Sequence, residues 1–496
     1  MKERLTSLFC FIWLIVIFLS ICLFSSKVWA FSSVQITNTP ENERNPSIAI
    51  KDIFTYVTWE VHAKDMIYFA ISSDNGKNWT RRIKIGTGNN PTIIVNNNSY
   101  IYIVWQYDGN ILIKRSINNG ISFEDSVRLG WGYRPDMAID DNDYIYVVWQ
   151  RKAGGTNYTP IYFTKSINNG NTFSEPIIVE DTYSSYFSPP KIAVSPSGKH
   201  VYVVWVCPPS YGAYIRTYFS RSTDGGLNFS PRINPTNFEF HGEYDPDIAV
   251  SGENIVYIVW RLDQYNYNHL HITRSTDGGE SFICKTGGAD KINDGSFSST
   301  DAFSPSLALN NSGDIYVIWS DTRNGYGSKD IYYDKSNDGG EHFGIDVCID
   351  SSSTKSDQRN PSIALNNLRI LSIVWEDNRH GNYDIYYSHI SPTFVKQSFF
   401  YNSQYNFRLR QNCPNPFNDE TRIEYEISKS TKVKIKIFNI LGDEVAILVD
   451  EIKEAGLYTT QWNGKNKNGD TLISGIYIYK IQAGDFSQVR KMSLIR

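Results

Sequence analysis

The sequence predicts an all-β protein: a seven-bladed β-propeller followed by a small C-terminal β-sandwich. Three observations carry that prediction. One paragraph of sequence recurs seven times between Pro46 and Ser388. Each copy is rich in Val, Ile and Tyr in short apolar runs, the composition of half-buried strands. Its turns use Asn-Gly and Asp-Gly steps, which supply the positive φ that tight strand reversals need.

The clearest copy is Asp301 to Phe343. Pro305 opens a first strand, Asp314 to Trp319 reads as a second, and Ile331-Tyr332-Tyr333 as a third. Corresponding prolines stand at Pro46, Pro91, Pro135, Pro190, Pro246, Pro305 and Pro361, spaced by 44 to 59 residues. The second strands end in Trp59, Trp105, Trp149, Trp205, Trp260, Trp319 and Trp375. That period suits one four-stranded blade.

Six of the copies carry a Ser-initiated turn after the third strand, at Ser72, Ser116, Ser166, Ser222, Ser275 and Ser336. The third position is Asp74, Asn118, Asn168, Asp224, Asp277 or Asp338; the fifth is Gly and the eighth is Trp or Phe. Short polar side chains accept from nearby backbone N–H groups, Gly takes the positive φ, and the aromatic ring plugs the turn onto the blade. These turns resemble the Asp-box repeats of sialidases and related propellers. The resemblance implies a sialidase-like propeller with a structural role for the boxes, on the face away from any active site. Sialidases of the family have six blades, whereas seven copies are counted here.

A fourth, outer strand is expected after each box, as in Arg81–Ile85 or Pro176–Val179. The seventh copy lacks one after Ser388. Val34–Thr37 precedes Pro46 much as Val127–Leu129 precedes Pro135. It is therefore expected to complete the last blade beside Ile385–Tyr387, which removes the exposed edge of an open array. The propeller then occupies residues 31–390; a six-blade ring with one extra unit is the alternative.

Residues 1–30 read as a signal peptide: basic Lys2 and Arg4, an apolar run from Phe9 to Phe24, and Ala30 at its end. The run is shorter than the about 20 residues a membrane span needs. Net charge is −4, which argues against bulk nucleic-acid binding. Cys207, Cys284, Cys348 and Cys413 are scattered, without metal-type spacing, and leave room for one disulfide in an exported protein. There is no P-loop, His-Glu-x-x-His or Gly-x-Ser-x-Gly, so neither cofactor nor metal is expected.

Residues 391–406 read as a linker and 407–496 as a separate module of short alternating strands, an Ig-like β-sandwich. Its landmarks are Asn412-Cys413-Pro414-Asn415-Pro416-Phe417-Asn418, Leu441-Gly442, Trp462-Asn463-Gly464, Ser474-Gly475-Ile476-Tyr477 and Lys491-Met492. From Gln411 to Arg496 this module closely resembles the C-terminal sorting domain of the type IX (Por) secretion system. The resemblance implies a Bacteroidetes-like Gram-negative cell and the type IX machinery as partner. It also implies an outer-membrane-surface or extracellular address.

The loops opposite the Asp boxes form the rim where chemistry is sought. The sialidase resemblance implies an arginine clamp for a carboxylate and a Tyr nucleophile activated by Glu. Arg44, Arg134 and Arg359 are the positions offered for the clamp, and Tyr244 with Glu243 for the nucleophile pair. The family's Arg-Ile-Pro motif has no match here, and adjacent Glu and Tyr on a strand point to opposite faces. Asp321 with Arg323, and Asp377 with Arg379, are candidate rim-binding residues or, alternatively, local ion pairs. Asp140 to Asp143 reads as a Ca²⁺ loop or as a tight turn. The leading expectation is a non-enzymatic extracellular scaffold whose rim contacts glycan or protein. A glycoside hydrolase acting on acidic sugars and a structural surface-layer component are the alternatives.

Overall fold

The computed structural model describes 33–390, except 152–158, 182–188, 209–213, 237–240, 265–266, 284–290, 295–300, 311, 325–327, 351–355 and 367–369. It also describes 408–496, except 410–411, 413, 428–430, 454–455 and 485. The expected signal peptide and linker, Cys284 and Cys413 lie outside the described residues. The chain divides into two compact units. Both are all-β; the one helical element among the described residues is the 3-10 turn His62–Lys64.

Among the described residues the first unit contains seven antiparallel sheets, six of them built from one repeat with its strands in chain order. Sheet 1 comprises Glu43–Lys51, Phe54–Val61, Met66–Ser72 and Ile83–Thr87. Sheets 2 and 3 begin at Asn89–Val95 and Tyr133–Ile139 and end at Val127–Trp131 and Ile177–Glu180. Sheets 4, 5 and 6 begin at Lys191–Val194, Gly242–Ser251 and Ala302–Leu309. Sheet 7 consists of Gln358–Leu365, Leu371–Asp377 and Asp384–Ile390, with Val34–Gln35 as its outermost strand. Val34 stands opposite Tyr387 and Gln35 opposite Tyr386, and Ile36 N donates to Ile385 O at 2.8 Å. The first strands touch from sheet 1 through sheet 7, and that of sheet 7 touches that of sheet 1.

The expectation of an outer strand after every box needs correction in sheet 4. Among the described residues sheets 4 and 5 show three strands each, and residues 284–290, which follow the box of sheet 5, lie outside the described residues. In sheet 4 the outer position is held by a single bridge, Ile233 to Phe219. Pro231 and Pro235 flank Ile233, and neither has an N–H to extend the ladder.

Each second strand is apolar on both faces because neighbouring sheets cover it from either side. The seven tryptophans at its end are all fully buried. Trp59, Trp319 and Trp375 stack on Tyr68, Tyr332 and Tyr386 of the adjoining strand, with ring centroids 6.1–6.3 Å apart. Ile48, Val57, Trp59 and Ala70 of sheet 1 share a core with Val374, Ile385 and Tyr387 of sheet 7.

The Ser-initiated turns repeat one geometry. Ser72 Oγ donates to Asp74 Oδ1 at 2.8 Å and accepts from Gly76 N at 2.8 Å. Asp74 Oδ1 accepts from Asn78 N at 2.9 Å. Asn118, Asn168, Asp224, Asp277 and Asp338 take the same place after their serines. Gly76 sits at φ +81°, and a Cβ there would lie 1.8 Å from Tyr387 Cε1, so the turn of sheet 1 lies directly on sheet 7.

These turns make a pH-dependent contribution. The Asn78 backbone N–H, first among its donors, holds the Asp74 carboxyl at about 2; the Ser281 hydroxyl does the same first for Asp277, also at about 2. Both lie below the about 3.9 of an unfolded Asp. Their stabilisation is therefore present above about pH 4 and lost as pH falls toward 2. An Asp74→Asn, Asp277→Asn double variant should keep its melting temperature near neutrality, since Asn118 and Asn168 already serve there. Between pH 4 and 2 it should lose less than the parent in thermal melts. Equal losses would remove these turns as the acid-sensitive element.

The second unit has two sheets. One contains Arg408–Leu409, Thr421–Ile427 and Gly456–Trp462. The other orders Glu444–Lys453, Thr431–Phe438, Gly475–Ala483 and Phe486–Leu494. Val433, Ile435 and Ile437 alternate with lysines and join Tyr425, Tyr479 and Met492 in one core. The Asn-rich opening closes on the chain's end: Phe417 N donates to Ser493 O at 3.0 Å, and Ser493 N donates to Asn415 Oδ1 at 2.8 Å. Buried Asn412 donates from Nδ2 to Thr421 Oγ1 at 2.9 Å, and its N–H donates to Tyr479 Oη at 2.8 Å.

Candidate functional site

In six of the seven sheets a residue pair stands directly before the proline of the first strand, and the proline shapes what the pair can do. A residue before proline is barred from the right-handed helical region, and proline itself gives the ladder no N–H. In six sheets the register breaks there, between Arg44/Ser47, Asn89/Thr92, Tyr133/Asp136, Tyr244/Asp247, Phe303/Ser306 and Arg359/Ser362. The residue before each proline is left-handed: Asn45, Asn90, Arg134, Asp245, Ser304 and Asn360 all have φ between 47° and 52°. Asn and Asp tolerate that conformation; Arg134 and Ser304 adopt it at a cost of order 1 kcal/mol or more. Bulges of this kind re-aim side chains.

The bulges are held from the neighbouring sheet. Asn45 N donates to Glu376 Oε1 at 2.8 Å, Asn90 N to Glu60 Oε2 at 2.6 Å, and Arg134 N to Gln106 Oε1 at 2.6 Å. Each acceptor is the residue after a buried tryptophan. Burial pushes the Glu376 carboxyl up. Two sets of side chains result, one residue apart in each repeat: Arg44, Asn89, Tyr133, Tyr244, Phe303 and Arg359, then Asn45, Asn90, Arg134, Asp245, Ser304 and Asn360. The second set lines a cavity of ≈ 590 Å³ that all seven first strands enclose. A second cavity of ≈ 590 Å³ adjoins it, lined by Glu60, His62, Asn89, Gln106 and Tyr133 and sharing Asn45, Asn90 and Arg134 with the first.

Deeper in the central cavity stands a charged group that sequence reasoning missed. Lys191 Nζ lies 3.8 Å from Asp136 Oδ1; Asp136, ahead of Asp247, pushes the lysine up, and burial pushes both carboxyls up. Asp136 Oδ2 accepts from Ile192 N at 3.1 Å and Asp247 Oδ2 from Leu307 N at 2.8 Å, so each pins the next sheet. The available signal was the residue after each proline, where two Asp and a Lys interrupt Ser and Thr.

The expected arginine clamp is not assembled as drawn. Arg44 and Arg359 meet at Tyr383, their guanidinium carbons 3.9 and 5.5 Å from its ring centroid. Arg44 pairs with Glu376 at 3.6 Å and Arg359 with Asp357, which also accepts from Tyr383 Oη at 2.7 Å. Arg134 instead lines the second cavity with Glu60, His62 and Tyr133. The physical reason is register: Arg134 directly precedes its proline, whereas Arg44 and Arg359 stand one residue earlier.

The Glu243–Tyr244 pair is likewise corrected. Glu243 is fully buried and accepts from Thr217 N at 2.6 Å and Thr236 Oγ1 at 2.5 Å. Tyr244 leaves the opposite face of the strand and lies under Arg261, 4.3 Å from its ring centroid. Asp321 and Asp377 are not ligand groups either; both are fully buried. Asp321 accepts from Trp319 Nε1 at 3.0 Å and Arg323 N at 2.8 Å, and Arg323 bridges it to Asp346. Arg379 bridges Asp377 to Asp350 in the same manner. These four residues lock rim loops.

Asp140 Oδ1 accepts from Asn142 N and Tyr144 N, and Asp143 from Asn97 N and Asn98 Nδ2, the pattern of a tight turn tied to its neighbour. Cys207 and Cys348 are free thiols.

Comparison with known proteins bears first on the second unit, where the Asn-rich opening and the final strand meet. Residues 413–495 match the family described as secretion system C-terminal sorting domain. The sorting domain marks the chain for type IX export to the cell surface or extracellular space. No curated protein matches the chain. Among solved structures, a polysaccharide lyase described as ulvan lyase has 14% identity and a TM-score of 0.49, covering 74% of this chain and 99% of its own. An α-L-arabinofuranosidase of Fusarium graminearum has 15% identity and a TM-score of 0.46, covering 73% and 98%. A Hadza microbial sialidase has 13% identity and a TM-score of 0.40, covering 69% and 75%.

Proposed function

We propose that the protein is an exported glycan-binding scaffold. Residues 1–30 are its signal peptide, 31–390 a closed seven-bladed sialidase-like propeller, and 407–496 an Ig-like sorting domain. The observation that carries the reading is the repeated bulge. Six repeats aim hydrogen-bonding side chains into one opening from a left-handed backbone, strained at Arg134 and Ser304, with Tyr133, Tyr244 and Phe303 one residue behind. Strain held at equivalent positions points to function. Convergent amides, hydroxyls and an arginine beside aromatic rings suit the many hydroxyls of a sugar. Binding is favoured over hydrolysis because Glu243 and Tyr244 leave their strand on opposite faces.

Asn90→Gly and Arg134→Gly remove side chains while keeping the backbone's left-handed turn. Together they should weaken binding to the glycan that scores on an array by about tenfold or more, near 1.4 kcal/mol. Unchanged affinity would exclude the opening. Turnover of a fluorogenic sialoside that vanishes in Arg44→Ala and Arg359→Ala would establish hydrolysis of acidic sugars instead. No array signal and no turnover would leave the structural surface-layer role.

A further inference from the structure

The ten tryptophans among the described residues divide unequally. Seven end the second strands and are fully buried, Trp462 is buried in the second unit, and Trp79 is half-buried against Tyr387. Trp131 alone is exposed, at 54%. Its fold role does not require that side chain. Gly86, Gly130 and Glu180 stand opposite Ile67, Ile111 and Ile161 in sheets 1, 2 and 3. The residues that follow, Thr87, Trp131 and Asp181, therefore fill one repeat position. What the neighbouring sheet uses there is a backbone oxygen: Trp105 Nε1 donates to Thr87 O at 2.8 Å and Trp149 Nε1 to Trp131 O at 2.9 Å. Threonine serves as well as tryptophan for that bond.

Trp131 is also held still and has aromatic company. Tyr107 opposes Asn110 and Asn110 opposes Trp131 across three strands, so all three side chains share one face of sheet 2. Asn110 Oδ1 accepts from Arg128 Nε at 2.5 Å, and the Arg128 guanidinium carbon lies 4.9 Å from the indole centroid, over its face. The turn between Tyr107 and Asn110 is only Asp108-Gly109, with φ of 48° and 70°, so this turn does not rise over the ring. A Cβ on Gly109 would stand 3.3 Å from Trp131 Cε3 and 3.6 Å from Tyr133 Oη, which places both aromatic side chains against this turn. Tyr107 and Tyr133 are 46% and 39% exposed. Tyr133 also lines the second cavity beside Arg134.

We propose that Trp131, with Tyr107 and Tyr133, is a stacking platform for pyranose rings of a polysaccharide chain that continues outward from the opening. The proposal rests on the glycan-binding reading and adds that the ligand is a chain of several sugars. A pyranose presents one face of C–H bonds, apolar and slightly positive, to the negative face of an aromatic ring. An indole pinned by Arg128 gives up little side-chain freedom when a sugar covers it. The continuity through Tyr133 sets the direction of the chain, from the cavity across the edge of sheet 2.

The test uses the full-length protein with cello-, manno-, xylo- and galacturono-hexaoses and the matching disaccharides, by isothermal titration. On the hexaose that the parent binds, Trp131→Ala should weaken affinity tenfold or more, and Trp131→Phe by less. Affinity for the matching disaccharide should stay within twofold, because the opening is intact. Acrylamide quenching of the parent's red-shifted emission should fall when that hexaose is added, and Trp131→Phe should lack this protected component. Unchanged hexaose affinity in Trp131→Ala overturns the platform while leaving the opening standing. Binding that survives Asn90→Gly with Arg134→Gly but fails in Trp131→Ala overturns the opening and supports the platform. A parent that binds none of the hexaoses overturns both.

Discussion

A chain lacking residues 33–39 is expected to lose most of the stability of its first unit and to associate edge to edge. Strand Asp384–Ile390 would be left as a free edge, and unpaired edges recruit other strands. Ile36 N no longer reaches Ile385 O, and Ile385 N loses Thr37 Oγ1 at 2.8 Å. Asp384, 1% exposed, loses Gln35 Nε2 at 3.0 Å, Thr37 Oγ1 at 3.3 Å and Thr39 N at 3.4 Å. Its carboxyl already sits above the usual range because it is buried, so removing these donors strands it. At about 1 kcal/mol for each lost bond, and more for the stranded carboxylate, the loss is about 5 kcal/mol. Domains of ordinary stability have about 5–15 kcal/mol in hand. Thermal melts and light scattering should show a lower transition and new oligomers, and a peptide of residues 33–40 added in trans should restore the parent's profile. Thr37→Val, which removes two of these bonds while keeping the strand, should cost about 2 kcal/mol. A deletion that melts like the parent would mean that sheet 7 is complete without the borrowed strand.

The same strand shows what the sequence makes visible. Val34 pairs with Tyr387 because the repeat count leaves one sheet short at its end and one strand spare at its start. Local patterns of this kind are written in consecutive residues, and so are the Ser–Asp–Gly turns and the inward Val433, Ile435 and Ile437. The opening is written differently. Its prolines are visible, but the register break is a property of two paired strands, and left-handed φ at Arg134 or Ser304 contradicts their local preference. Asp136, Lys191 and Asp247 lie in three separate repeats and meet only because the first strands enclose a common space. The arginine clamp failed by one residue: on a bulged strand, Arg134 and Arg44 are aimed differently although both stand near a proline. Alternation did separate Glu243 from Tyr244. Trp131 went unremarked because a sequence full of buried tryptophans gives no sign of the one that is not.

Removing residues 411–496 is expected to abolish arrival at the cell surface, the largest effect anticipated for the whole protein. In a host with a type IX system the truncated chain should remain in the periplasm, protected from protease added to intact cells. The structure narrows the requirement further. The final strand Phe486–Leu494 carries Met492 and Leu494, both buried in the core, and its end is clasped by Phe417 and Asn415. Loss of the last six residues therefore removes two core side chains and the clasp at once, at several kcal/mol in a domain of this size. Phe417→Ala, 3% exposed in the parent, should cost about 3–4 kcal/mol and reduce the surface fraction by tenfold or more through unfolding. The Arg496 side chain donates to the carbonyls of exposed Asn463 and buried Gly464, two bonds at the surface end of the strand, so Arg496→Ala should cost about 1–2 kcal/mol, less than Phe417→Ala. Surface protease accessibility separates the two causes. If Arg496→Ala blocks export while the purified domain remains folded, the machinery reads the chain's end directly. If only Phe417→Ala blocks it, a folded sandwich suffices. Normal surface arrival of the 411–496 deletion would remove the sorting role altogether.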